Sequence, residues 1–120
     1  MEIRFLDVKG VRVAEVLGEP HSLKGMDMVK DLIGSLVFEH KVSRLLIHRD
    51  FIDESFFDLK TGFAGELAQA FTNYRLKLAV VGDFNLLASL ALKACIRESN
   101  LGQTAYFTKD RQNALAWLAG

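Results

Sequence analysis

One cysteine, one proline and no net charge among 120 residues are the first constraints this sequence sets. Cys95 has no second cysteine to pair with, so no internal disulfide forms, and a reducing, cytoplasmic setting is the simplest expectation. It stands in the apolar helical stretch LLASLALKACI, where the expected role is a buried small apolar side chain rather than a reactive thiol. Fifteen basic residues cancel fifteen acidic ones, and neither sign forms a run of five. That balance argues against an electrostatic grip on nucleic acid or on an anionic membrane. Met1-Glu2-Ile3-Arg4 lacks the basic and then apolar run of a signal peptide, and the uncharged stretch Phe84 to Leu92 is far too short to span a bilayer. Motifs that would name a reaction are missing as well. Gly82-Asp83-Phe84 has neither phosphate-loop nor dinucleotide-fingerprint spacing, and no Gly-x-Ser-x-Gly occurs. His21, His40 and His48 have no metal-ligand spacing with Cys95, so neither a metal nor a cofactor is expected.

What is present reads as one domain over residues 1–120, long enough to bury roughly two thirds of its unfolded surface. Ile3 to Val8 and Val11 to Leu17 are short runs rich in β-branched residues around Lys9-Gly10, the pattern of an antiparallel hairpin. In the second run Val11, Val13 and Glu15 share one face, and Arg12, Ala14 and Val16 the other. After the break at Gly18 to Ser22, Met28, Val29, Leu32, Ile33 and Leu36 recur at helical steps, predicting a helix over 23–39. Leu45-Leu46-Ile47-His48 suits a buried parallel strand. Further periodicity predicts a helix over 55–74, a strand over 78–81, a helix over 85–99, a strand over 104–107 and a helix over 110–118. The order β-β-α-β-α-β-α-β-α calls for an α/β fold of about five strands and four helices, an N-terminal hairpin followed by a mostly parallel sheet.

This element order, with Phe57-Asp58-Leu59-Lys60, Lys77 to Asp83, Tyr106-Phe107 and Ala114 to Leu118, resembles the STAS fold of anti-sigma-factor antagonists over the last two thirds of the chain. Nearly end to end, the chain also resembles a family of short bacterial proteins of unknown function that share FFDLKTGxAGE, NYRxKLAxVGDF and ExNxG, here at residues 56–66, 73–84 and 98–102. The first resemblance implies a regulatory protein-interaction module; the second implies the same fold and no assigned chemistry. STAS regulators carry a phosphorylatable serine in a segment like FIDSSG, which would fall on Ser55. Here Glu54 replaces the other serine and Phe56 the glycine, so Ser55 is both a candidate phosphosite and, with Asp58, a capping box.

Two candidate surfaces follow. On a continuous helix over 55–74, Phe56, Leu59, Phe63, Leu67 and Phe71 form a core stripe, and Asp58, Thr61, Gly62, Gly65 and Gln69 fall opposite. Two interior glycines weaken a helix, so they are expected to admit a neighbouring helix, to mark a kink, or to form an interaction surface for a partner chain or ligand. The second is the rim at the carboxyl ends of the parallel strands, where open α/β sheets place ligands. There His48, Arg49 and Asp50, then Gly82, Asp83, Phe84 and Asn85, then Thr108, Lys109 and Asp110 suit a small polar or phosphorylated ligand if they converge. The ordinary roles are caps and turns, Asn85 and Asp110 being natural N-caps. Three functions compete: a regulatory module binding a protein partner or a second copy of itself, a small-molecule or lipid binder favoured by nine phenylalanines, and a small enzyme using His48 and Asp83.

Overall fold

The computed structural model describes residues 1–84 and 89–120. Its elements are β1 (Glu2–Val8), β2 (Val11–Leu17), α1 (Gly25–Gly34), β3 (Arg44–His48), α2 (Phe63–Asn73), β4 (Lys77–Val81), α3 (Leu90–Asn100), β5 (Ala105–Thr108) and α4 (Arg111–Ala119). The expected α/β class holds: one mixed sheet in the order β1-β2-β3-β4-β5, with β1 antiparallel to β2 and all later neighbours parallel. Asp7 fixes the hairpin turn, its carboxylate accepting from Gly10 N at 2.9 Å.

Because each parallel strand is laid beside its immediate predecessor, right-handed crossovers put α1, α2 and α3 on the same face. Their core joins Ala14, Val16, Leu45, Ile47, Leu78 and Val80 of the sheet to Val29, Leu32, Ile33 and Leu36 below it and to Phe51, Phe56 and Phe71. No crossover constrains the last helix, and α4 takes the opposite face, packing Ala114, Leu115 and Leu118 on Val13, Leu46 and Ala79. The alternation of β2 is thereby resolved: Val13 and Glu15 look toward α4, Ala14 and Val16 toward the three helices.

Two predicted helices change. The first buries Val29, Leu32, Ile33 and Leu36 of its predicted stripe, but Met28 is exposed and Met26 takes the inward position; it ends in a π-helical turn over Ser35–Glu39, where His40 N donates to Ser35 O. The second is not continuous from Ser55. Glu54–Phe57 and Leu59–Thr61 are separate 3-10 turns, and α2 starts only at Phe63. Two carboxylates cause the breaks: Asp53 accepts from Ser55 N and Asp58 from Lys60 N, each drawing the backbone out of the α-helical path. Gly62 completes the break with φ 75°, a left-handed conformation for which glycine is suited. A wheel drawn through 55–74 therefore misplaces Leu59, which is exposed, while Phe56 and Phe71 are buried as expected. The capping box is also overturned, since Ser55 Oγ donates to Asp53 Oδ2 and Asp53, not Ser55, caps the turn.

Candidate functional site

Successive residues leaving a strand point to opposite faces of the sheet, and this divides the predicted rim. His48, the last residue of β3, turns to the α4 face and meets Glu15. Arg49 turns to the face of the three helices. Asp50 projects into solvent, and its backbone carbonyl accepts from His21 N at 2.7 Å. Gly82 abuts Arg49, Asp83 is engaged in an interaction of its own, and Lys109 is exposed. Asp110 does cap α4, accepting from Gln112 N at 2.8 Å and Asn113 N at 3.4 Å. Asn85 lies outside the described residues, and the cap of α3 within them is Ser89, whose Oγ accepts from Leu92 N. The strand ends thus supply two separate groups of side chains.

On the α4 face stands a carboxylate that composition and motifs did not single out. Glu15 is 3% exposed, and both of its oxygens are taken. Arg111, the first residue of α4, donates Nε to Oε2 at 2.9 Å and Nη2 to Oε1 at 2.8 Å, while His48 Nε2 lies 2.6 Å from Oε2. The Arg111 bonds, with His48 behind them, outweigh burial and pull the Glu15 carboxyl down to about 2. An ionised carboxylate only accepts, so His48 Nε2 carries the proton of that bond. The cluster ties β2, β3 and the start of α4 together through the two Glu15 oxygens, as a structural clamp would, while His48 and Arg111 each keep part of their surface in solvent. Its signal in the sequence was parity: Glu15 stands on the same strand face as Val11 and Val13, where an apolar residue is expected.

The opposite face is incompletely closed. Between α2 and α3, above β4 and β5, lies a cleft of about 100 Å³. Its walls include Phe57 and Leu67 on one side, Leu92 and Ile96 on the other, and Phe107 on the floor. Cys95 and Ser99 are the polar side chains among its described walls, and Ser99 Oγ is already given to Ala105 O at 2.9 Å. The cleft opens because α3 meets the sheet through little of its surface: Leu92 is its one buried residue, and Leu90 is 82% exposed. For the same reason Cys95 is exposed and edges the cleft, contrary to the buried role expected of it.

At the strand-end rim of this cleft, Phe84 packs edge-on against Phe57 at 5.7 Å and against Phe107 at 5.4 Å, joining one wall to the floor. The Arg49 guanidinium lies over this aromatic row, 5.7 Å from the Phe57 centroid and 5.8 Å from that of Phe84. Its Nε is buried without a hydrogen-bond partner among the described residues, and its pairing with exposed Asp50 is long at 3.7 Å. Gly82 makes room for it: a Cβ there would fall inside the contact distance of Arg49 Cβ and within 2.9 Å of Cδ.

The glycine surface has a different character. Asp58, Thr61, Gly62, Gly65 and Gln69 are all exposed, and a Cβ added at Gly62 or Gly65 would meet nothing within 4 Å. Among the described residues no neighbouring helix fills a notch there, which overturns close packing by them as the account of these glycines, while the helix break at Gly62 answers to the expected kink. Thr61 Oγ1 donates to Ser55 O and Asp58 O, and Gln69 Nε2 to Asn73 Oδ1, so these polar groups serve local turns and the helix surface. Among the described residues no group of three or more His, Cys, Asp or Glu could hold a metal ion, and no helix is long and apolar enough to cross a membrane.

No curated protein and no solved structure matches the chain. A family model does, over residues 8–118, and the chain belongs to that family, described as a domain of unknown function, DUF4180.

Proposed function

We propose that this domain is a binding module that takes a small apolar ligand in the cleft between α2 and α3. The observation that carries this reading is the cleft itself, with walls of aliphatic and aromatic side chains and, of the two polar side chains among the described residues, one internally satisfied. An engineered cavity of about 150 Å³ accommodates benzene. The cleft has about two thirds of that volume and is open along one side, so it suits a slim chain of about six carbons rather than a ring. The balanced charge of the chain adds nothing that would draw nucleic acid.

Cys95 provides the test. It is the single cysteine, it is exposed, and it edges the cleft. Titration with 1-hexanol is expected to slow the reaction of Cys95 with Ellman's reagent saturably and to shift the methyl resonances of Leu67, Leu92 and Ile96 together. Filling the cleft with Ala64→Leu should remove both responses while leaving the fold intact by circular dichroism. Non-saturable, scattered shifts up to the solubility limit of the alcohol would overturn the reading.

A second reading, a cytoplasmic STAS-like interaction module, has one observation in its favour: the open, exposed face of Asp58, Thr61, Gly62, Gly65 and Gln69. In that reading Ser55 is the point of control, where a phosphate would meet the neighbouring Asp53 carboxylate that now accepts its hydroxyl. Light scattering of the wild type and of Gly65→Leu tests it; a monomer in both, with no partner lost on substitution, would remove it.

A further inference from the structure

Arg49 is the one cation placed against the aromatic end of the cleft, among the described residues, with a nitrogen buried and unpartnered. The side chain keeps 17% of its surface exposed, at the Nη end that also stands near Asp50, while the Nε–H is shut off from water; a buried N–H without an acceptor is costly, and two ring faces compensate only part of that cost. Gly82 shows that space for the Arg49 stem is built into the strand end, since any side chain there would displace it. The groups supporting Arg49 also shape the cleft: Phe57 is a cleft wall, and Phe84 ties it to Phe107.

We infer that Arg49 recognises a head group, and that the ligand is a short free monocarboxylate whose hydrocarbon part enters the cleft. This assignment rests on the cleft being a ligand site. The planar fork of a guanidinium matches a carboxylate in two parallel hydrogen bonds. A single negative charge fits this rim better than a phosphate dianion, because acidic Asp50 and Asp83 flank the site in sequence and Asp50 stands 3.7 Å from the guanidinium. The cleft volume limits the chain, so affinity should rise about fourfold per methylene up to about six carbons and then level off.

Calorimetric titrations of the wild type with hexanoate, 1-hexanol and hexyl phosphate test the assignment. Hexanoate is expected to bind at least tenfold more tightly than the alcohol and more tightly than the phosphate. In Arg49→Met, which keeps the apolar stem, hexanoate should fall to the affinity of the alcohol, whose own binding stays unchanged; Arg49→Lys should retain part of the preference. Equal binding of acid and alcohol in the wild type overturns the head-group assignment and leaves the cleft reading standing, as does a preference that survives Arg49→Met. Tighter binding of the phosphate overturns the choice of carboxylate. If neither hexanoate nor hexanol binds, the cleft reading falls and this assignment with it. The wild-type comparison decides even if the Arg49 variants do not fold.

Discussion

The two faces of this sheet are covered in opposite ways. On one, a single short helix is held at its first residue by an ion pair to a buried carboxylate, with Arg111 gripping Glu15 beside His48 and apolar packing following along α4. On the other, three helices share the work and the last of them, α3, seats only Leu92, leaving an apolar cleft. On the first face the buried Glu15 carboxylate has both of its oxygens paired. The apolar face has an unfilled volume and, at its edge, a cation with a nitrogen that has no partner among the described residues. Function is better sought where satisfaction is incomplete than where charged groups are most tightly gathered.

Breaking the clamp gives the largest expected effect. Arg111→Met leaves Glu15 buried with His48 alone, and should cost about 3 kcal/mol in urea denaturation, because an ion at 3% exposure loses its principal partner. The double variant Glu15→Met/Arg111→Met should recover most of that loss, since two apolar side chains of similar length need no ionic partner. A double variant as unstable as the single one would show that the clamp itself, and not the orphaned charge, sets the cost. Neither variant should alter binding in the cleft on the other face.

Acid sharpens the same contrast. The Glu15 carboxyl titrates near 2 in the folded chain against 4.5 when unfolded. Its contribution is complete above about pH 4.5 and is lost as the pH falls toward 2, because in that window the unfolded chain takes up a proton that the folded chain refuses. The span corresponds to about 3 kcal/mol. Denaturation midpoints measured between pH 5 and 2.5 should fall steeply in the wild type and less steeply in Glu15→Met. Parallel slopes would place the acid sensitivity on other carboxylates.

Much of this architecture was legible because it follows from period alone. The hairpin, the parallel strands and α4 read correctly, as alternation and short apolar runs are local signals. The clamp was only half legible. Parity placed Glu15 on an apolar face, but its partner stands 96 residues away, and nothing local connects β2 with the start of α4. The rim was legible as a set of strand ends and not as geometry, since His48 and Arg49 are neighbours in sequence and opposed in space. The cleft was not legible. It arises from how weakly α3 seats, and the apolar composition of LLASLALKACI suggested burial for Cys95 where the structure exposes it. The helix over 55–74 failed for a reason visible in retrospect: Asp53 and Asp58 each offer a carboxylate to the backbone two residues on, and these bonds break the helical wheel before Phe63.

The glycines at the entrance to α2 give smaller effects of opposite sign, and they distinguish backbone need from surface opportunity on the cleft side. Gly62→Ala introduces a Cβ at φ 75° and should lower stability by about 1 kcal/mol, although the added atom touches nothing. Gly65 has no such constraint. It lies in the first turn of α2, exposed and with open space at its Cβ position, so Gly65→Ala should raise stability by about 0.5 kcal/mol through helix propensity alone. Thermal denaturation of the two variants reads both signs. If Gly65→Ala instead destabilises an isolated monomer, folding demands that glycine in a way the open space around it does not explain. If it stabilises the monomer but weakens self-association in light scattering, the residue is kept for contact with another chain, and the exposed face of α2 joins the cleft as a binding surface.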